Sequence, residues 1–385
     1  MQNLKTPMIL IVDDISKNIQ VLAEFLKPEG YQLAFAQSGK AAISQAQKQP
    51  IDLVLLDVMM PEMDGFEVCS HLKNSPDTKD IPIIFLTGKV ETESVVHGFE
   101  LGAVDYVTKP FNRGELLARV RTHLELRRAR EHIQDLFDLI KEELGIASSI
   151  QKDVMRVNGK VPFLTSSLIF EPFGEVSGDM VDFSKNGDEE LYFFLGDATG
   201  HGIAAALLTM MVPFILDGKK NEESTSQMVT NINNAMANRK IDGKFVTGIY
   251  AKIKEDGSLF VCNAGHPPQL IVPADQSPLV EIAPNGLPMG IFSSEELIAP
   301  EYKEREFRLK QGDKFFFYTD GITEWSNPQE EQFGLKRLKE VIEVNRDLKV
   351  EPILEKLMKQ IEIFSEGKSG DDDYTIIGFE YLGVK

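Results

Sequence analysis

Cysteine is nearly absent. Cys69 and Cys262 are the only two in 385 residues, too few and too far apart for a disulfide framework or a thiolate metal site, and a reducing cytoplasm is the simplest setting. Cations are outnumbered, with 41 Lys and Arg against 60 Asp and Glu, for a formal charge of -19. That balance works against nucleic acid or an anionic membrane as a main partner. No apolar run is long enough to span a bilayer. The longest, GIAAALLTMMVPFIL from Gly202 to Leu216, is short and contains Pro213, and it reads as a buried helix. The opening MQNLKTPMILIVDD reaches an acidic pair too soon for a signal peptide. There is no His-x-Glu-x-x-His helix, Cys cluster or Gly-x-Ser-x-Gly elbow, which disfavours zinc and serine hydrolases. No helix-turn-helix, basic patch, internal repeat or low-complexity tract is present, which disfavours a DNA-binding output.

What is present divides into three regions. Apolar residues make up 42% of the chain and charged residues 26%, enough for more than one core. In the first region short apolar runs (MILIVDD, YQLAFAQ, IDLVLLD, IPIIFLTG, DYVTKP) alternate with helical segments. That alternation predicts an α/β doubly wound, five-stranded parallel sheet, with any site at the C-terminal strand ends. The second region, from about Leu126 to Val154, is charged and free of proline. Ile133, Phe137, Ile140, Leu144, Ala147 and Val154 follow a four-three spacing, with Gln151 in the one gap. This is a heptad seam that would pair with a second copy, or equally an amphipathic helix packed on its own domain. From about Val161 strand-like runs dominate, interrupted by helical segments after Gly202, around Ser224 to Arg239, and at Leu335 to Phe364. Grouped strands and helices predict an α+β sandwich.

In the first region Asp13 and Asp14, Asp57, Thr87 and Lys109-Pro110 all fall at strand ends, which converge in a doubly wound sheet. Three carboxylates together call for a divalent cation, and Mg²⁺ suits oxygen ligands while leaving room for a phosphate. Lys109 offers a compact charge and Thr87 a hydroxyl to a phosphoryl oxygen, and Asp57 can serve as the nucleophile. The motifs VDD, LLDVMMPEMDGFE, LTG and YVTKPF resemble, in order and spacing, the receiver domain of bacterial response regulators. The resemblance implies phosphorylation of Asp57 by a histidine kinase or phosphotransfer protein. It also implies Mg²⁺ held by Asp13, Asp14, Asp57 and the Met59 carbonyl, a cis bond before Pro110, and a switch through Thr87, Tyr106 and Lys109. Gly88 stands where the family often has Ala.

The last region has carboxylates at strand ends or tight turns: Asp179 and Asp182 in SGDMVDF, Asp197 in GDATGHG, Asp320 in YTDGITEW, and Asp371, Asp372 and Asp373 in SGDDDYTIIGF. Oxygen-only ligands suit Mg²⁺ or Mn²⁺, and two such ions can hold a phosphoester for in-line attack. With CNAGHPP and LPMGIF, these motifs resemble the SpoIIE/RsbU branch of the PPM-type metal-dependent Ser/Thr phosphatases, an αββα sandwich. The resemblance implies two Mn²⁺ or Mg²⁺ ions bridged by Asp197, with Ala198 offering its carbonyl, Asp179 on one ion and Asp320 and Asp372 on the other. Asp182 and Asp373 are possible accessories. It implies direct attack by an activated water on phosphoserine or phosphothreonine, with an anti-sigma-factor antagonist as substrate. Here the first motif lacks the aromatics usual between its two aspartates, which leaves a poorly active signalling adaptor as the alternative. His201 and His266 read as turn-holding residues and Trp325 as packing. The expected organisation is a receiver over 1–125, a helical, coiled-coil linker over 126–155 and the phosphatase domain over 156–385. The expected protein is a cytoplasmic homodimer with a phosphoprotein substrate, bound to neither nucleic acid nor membrane.

Overall fold

The computed structural model describes residues 6–88, 92–155, 159–200, 202–217, 224–239, 243–293 and 300–384. The chain forms two compact units that divide between Leu139 and Ile140.

In the first unit, β1 (Met8–Val12), β2 (Gln32–Ala36), β3 (Leu53–Asp57), β4 (Ile83–Thr87) and β5 (Asp105–Thr108) form a parallel sheet in the order β2-β1-β3-β4-β5. The connections are α1 (Ser16–Leu26), α2 (Gly39–Lys48), α3 (Gly65–Lys73) and α4 (Thr92–Glu100). Both faces of the sheet are covered. Leu10, Val54 and Leu56 pack in one core with Val68 and Leu72 of α3, and Ile9, Leu53 and Leu55 in another with Leu22 of α1. The inner strands β1, β3 and β4 are almost wholly apolar because neither face meets water, whereas the edge strand β2 exposes Gln32 and Phe35. The reversal of strand order falls between β1 and β3, so the ends of those two strands open a crevice.

Helix α5 (Arg113–Val154) is 42 residues long. Leu116, Val120 and Leu124 are buried in the first unit, and Arg127 donates to the Ile51 and Asp52 carbonyls, both at 2.9 Å. The segment expected as a linker is thus continuous with the last helix of the parallel-sheet fold. Its seam changes character along its length. Ile133, Phe137 and Ile140 are each more than half exposed, whereas Leu144 and Ala147 are half-buried and Gln151 is buried. Val154 and Met155 join the apolar layer of the second unit.

The second unit is a four-layer αββα sandwich. One antiparallel sheet has the order β13-β10-β9-β8-β7, from β7 (Asp179–Asn186), β8 (Glu190–Ala198), β9 (Val246–Lys254), β10 (Ser258–Ala264) and β13 (Arg305–Arg308). The other has the order β12-β11-β14-β15-β6, from β6 (Leu164–Glu171), β11 (Gln269–Val272), β12 (Val280–Ile282), β14 (Lys314–Tyr318) and β15 (Tyr374–Tyr381). Alternation along the strands sorts their side chains. Phe193 and Leu195 of β8 point between the sheets, where Phe193 stacks on Phe317 and Phe315 on Phe379. Tyr192 and Phe194 point outward, under α6 (Ile203–Asp217) and α7 (Thr225–Ala237). Phe316 and Tyr318 of β14 face the opposite helical layer, which contains α8 (Asp320–Glu324), α9 (Gly334–Val344) and α10 (Val350–Phe364).

Two expectations need correction. The helical stretch Leu335 to Phe364 is two helices, because Asn345 caps α9 and residues 345–349 turn the chain before α10 starts at Val350. Helix α6 is not apolar-buried all round. Ala205, Leu208 and Val212 pack on the sheet, but Ile203, Leu207 and Phe214 are more than half exposed on the other face.

Burial along α5 sets a stability contrast. Leu116→Ala is expected to cost about 2–5 kcal/mol in denaturant unfolding. Ile133→Ala is expected to cost less than about 0.5 kcal/mol at dilution. A cost for Ile133→Ala that grows with protein concentration would reveal self-association along the exposed seam.

Candidate functional site

The first cluster lies at the C-terminal edge of the parallel sheet. Asp13 follows β1 and is fully buried, Asp57 ends β3 and is nearly so, and ligand oxygens of Asp13, Asp14 and Asp57 lie within 4.8 Å of one another. Lys109, just past β5, reaches Asp13 Oδ2 at 2.8 Å and Asp57 Oδ2 at 2.9 Å. Burial raises the Asp57 carboxyl above its ordinary range, with Lys109 opposing. Burial also works against the charge on Lys109, yet its bonds to Asp13 and Asp57 hold its pKa above the usual value. Asp13 is oriented further by the Asn18 amide at 2.9 Å and by the Ile15 N–H at 2.9 Å. The Met59 N–H faces Asp57 Oδ1 at 3.5 Å, and the Lys109-Pro110 bond is cis. The glycine of the MDGFE turn has a steric reason. A Cβ on Gly65 would collide with the Asp57 carbonyl oxygen, whereas one on Gly88 would meet open space.

Thr87 ends β4, beside a cavity of about 440 Å³ that it lines with Phe66, Phe85, Phe99 and Tyr106. The Tyr106 ring lies under the Arg119 guanidinium at 5.6 Å. Arg119 also pairs with Asp105, so β5 and α5 are tied together next to the tyrosine.

The second cluster joins the two sheets of the sandwich. Asp179 opens β7 and is the direct antiparallel partner of Asp197 on β8, so both project on the inter-sheet side. Asp320 follows β14 and starts α8, and Asp372 lies two residues before β15. Asp179 is buried, and its Oδ2 accepts from Thr319 Oγ1 at 2.8 Å and Thr375 Oγ1 at 2.6 Å. Thr375 N–H in turn donates to Thr319 Oγ1 at 2.9 Å. Here too a glycine permits the geometry, since a Cβ on Gly321 would collide with the Asp373 carbonyl oxygen.

The electrostatics of this cluster are those of crowded, buried carboxylates. Burial, then the charges of Asp179, Asp320, Asp372 and Asp373, push the Asp197 carboxyl up to about 9. Burial, then Glu324 and Asp372, push Asp320 up to about 6. Burial raises Asp179 well above its ordinary range, against its threonine bonds, with Asp373 and Asp320 adding to the rise. Among the described residues only Asp13, Asp14 and Asp57 draw three ligand oxygens within 4.8 Å of one another, so the second group is more widely spread. Its donors are all oxygens, with negative charge to be neutralised, and this set fits hard divalent cations.

The two accessory aspartates are placed differently. Asp373 accepts from Phe173 N–H at 2.7 Å and Gly178 N–H at 2.6 Å, one bond on each oxygen, so it braces the loop that enters β7. Asp182 is three residues from Asp179 on the same strand. The pleat therefore puts it on the opposite face, beside Met180 rather than Val181. His266 is buried, its pKa pushed down to about 3 by burial, with Nδ1 bonded to Thr247 Oγ1 at 2.8 Å. Trp325 Nε1 donates to the Lys368 carbonyl at 3.0 Å, and its ring meets Tyr374 and Gly370, so it packs against the loop carrying Asp372. His201 and the Ala198 carbonyl were also singled out in the sequence. His201 lies outside the described residues, and the Ala198 carbonyl lies beside Gly178, 3.2 Å from where a Cβ there would be. Sequence reasoning missed Asn18, Thr319 and Thr375, although both threonines sit inside the motifs that drew attention to their neighbours.

Two substitutions test this geometry. Gly321→Ala is expected to destabilise the second unit by about 1–3 kcal/mol through overpacking, and Gly88→Ala to stay within about 0.5 kcal/mol of wild type, both read by denaturant unfolding. Asp197→Asn removes the cost of burying a carboxyl that must be held protonated in the crowded group. In metal-stripped buffer it is expected to stabilise the protein by about 0.5–2 kcal/mol, while losing the rise in Tm that Mn²⁺ gives the wild type. Destabilisation with an intact Mn²⁺ response would contradict the placement of Asp197.

Comparison with known proteins bears on both clusters. Residues 187–381, just over half the chain, match the family model of Stage II sporulation protein E (SpoIIE), and residues 9–121 match the response regulator receiver domain. The chain is 41% identical over 170 residues to a probable cyclic di-GMP phosphodiesterase of Vibrio cholerae, a match covering 44% of this chain and 36% of that protein. It is 43% identical over 114 residues to the response regulator PleD of Caulobacter vibrioides, covering 30% and 25% respectively. The chain thus spans only about a third or a quarter of the length of these relatives. The SiaA-PP2C domain of Pseudomonas aeruginosa shares the fold, with TM-score 0.56 at 17% identity over 64% of this chain and 98% of that domain. With a receiver domain at one end and the sandwich and its carboxylates at the other, the chain belongs to the SpoIIE family.

Proposed function

We propose that this protein is a response regulator whose output is a metal-dependent serine/threonine protein phosphatase. The observation that carries the reading is the crowding of Asp179, Asp197, Asp320 and Asp372 at the junction of the two sheets, where Asp197 is pushed up to about 9. Such a group is poorly stable by itself and well matched to two Mn²⁺ or Mg²⁺ ions. When bound, the ions would supply charge to polarise a phosphoester and lower the pKa of water. The chain's own residues set the geometry. Asp197 and Asp179 are locked opposite each other by the β7–β8 register, and Thr319 and Thr375 fix one oxygen of Asp179.

In the receiver, Asp13 and Asp14 would hold Mg²⁺ with the Met59 carbonyl. Asp57 would take a phosphoryl group from a histidine kinase or phosphotransfer protein, forming a P–O bond as the donor's P–N bond breaks. Lys109, 2.9 Å from Asp57, is placed to pair with the incoming phosphoryl oxygens. Thr87 and Tyr106 line one cavity and would carry the change away from Asp57. The substrate class suggested by the family resemblance is a phosphorylated anti-sigma-factor antagonist. The exposed Ile133, Phe137 and Ile140 favour a homodimer through α5. No helix among the described residues is long and apolar enough to cross a membrane, which is compatible with a cytoplasmic protein.

The test is phosphate release from a phosphoserine protein in Mn²⁺, with and without beryllofluoride. Asp320→Asn is expected to lower turnover at least about 100-fold, and beryllofluoride to change wild-type turnover but not that of Asp57→Asn. No turnover in any sample, with a phosphoprotein still captured, would favour a binding adaptor.

A further inference from the structure

The segment that delivers Asp179 to the site is held from two directions. From the turn just before β15, Asp373 accepts from the backbone N–H groups of Phe173 and Gly178. From α5, the Gln151 side chain makes a reciprocal pair with the backbone of Ser177. Its Nε2 donates to the Ser177 carbonyl at 2.7 Å, and its Oε1 accepts from the Ser177 N–H at 3.0 Å. Ser177 Oγ then accepts from the Asp179 N–H at 3.0 Å. Gln151 is 3% exposed and Ser177 is fully buried. Buried amides bound on both ends specify one geometry, because any displacement leaves donors and acceptors unpaired.

We propose that Gln151 is a positioning residue for the metal site, through which helix α5 sets the placement of Asp179. The glutamine falls at the one polar position of the heptad seam. An apolar residue there would pack but could not pair with both backbone groups of Ser177. Asn would be one methylene short of the same span. The side chain therefore gives up a seam position to bond the loop before Asp179. The helix carrying Gln151 begins at Arg113, in the receiver domain. Rotation or translation of α5 about its axis thus acts on the Ser177 pair first and on Asp179 through it, two hydrogen bonds away. This inference rests on the phosphatase reading for its consequence in turnover, but not for its effect on metal binding.

The experiment uses the full-length chain and Mn²⁺ as the probe. Manganese binding is followed by electron paramagnetic resonance, and phosphate release from a phosphoserine protein is measured over the same Mn²⁺ range. The receiver cluster of Asp13, Asp14 and Asp57 is an internal control, since its binding step stays unchanged in every variant. Gln151→Ala is expected to weaken Mn²⁺ binding at the second cluster by about 10–100-fold. The Mn²⁺ needed for half-maximal turnover should rise in parallel, and turnover should recover at saturating metal. Ser177→Ala removes only the hydroxyl and is expected to give a smaller shift of the same kind. The double variant should be no worse than Gln151→Ala, because both act along one chain of bonds.

A residue that merely supports the fold would lower Tm without moving the metal requirement. Unchanged Mn²⁺ binding at the second cluster in Gln151→Ala overturns the proposal, whatever happens to Tm. If Gln151→Ala does not fold, the Ser177→Ala shift decides, and its absence overturns the proposal equally. Mn²⁺ affinities that shift as expected in a protein without phosphate release would leave the positioning role standing and remove the phosphatase reading.

Discussion

One carboxylate oxygen organises the second half of this protein. Asp179 Oδ2 comes from one sheet of the sandwich and accepts hydroxyl protons from Thr319 and Thr375 of the other. A buried carboxylate without donors is costly, so this contact fixes the relation of the two sheets at their shared end. Thr319 immediately precedes Asp320, and Thr375 follows Asp373 by two residues. The bonds that satisfy one aspartate therefore place the others. Hydroxyls suit the task because they orient a carboxylate without neutralising it. The charge stays available to a cation.

The two clusters use similar side chains in opposite ways. In the receiver, Lys109 contacts both Asp13 and Asp57, so much of the local charge is balanced within the chain and one phosphoryl group can be accommodated. In the sandwich, Asp197 is raised by burial and then by four other carboxylates, and no cationic side chain features among the main influences on it. Such a set of oxygen donors fits hard divalent cations. The first cluster thus carries its own cation in Lys109, and the second does not have one among the main influences on Asp197.

Much of this was legible in the sequence. Parallel strands buried on both faces leave their mark as continuous apolar runs, and their ends must coincide in space. Asp13, Asp57, Thr87 and Lys109 could therefore be brought together before any coordinates. The second group was legible as motifs, with carboxylates at the ends of apolar runs. What escaped were contacts whose partners lie far apart in the chain: Thr319 and Thr375 on Asp179, and Gln151 on Ser177. A glutamine in a heptad gap looks like a tolerated defect until the loop it bonds is seen. The parity of Asp179 and Asp182 was available from strand alternation, but only once SGDMVDF was known to be a strand. Helix α6 misled for a different reason. Its apolar residues lie on all sides, so no periodicity distinguishes the face on the sheet from the face exposing Leu207 and Phe214.

Helix α5 constrains how such chains can diversify. An α-helix turns about 100° per residue, so one inserted residue swings everything downstream nearly a third of a turn, while seven return it to within about 20° of its original phase. Exposed loops between domains tolerate insertions freely, but an uninterrupted helix with buried residues near both ends does not. Exchange of the N-terminal module during evolution, or in an engineered sensor, is then a matter of helical phase. Junctions within 126–150 that keep whole heptads would keep the exposed seam of Ile133 and Phe137 in phase with Gln151 on the same helix.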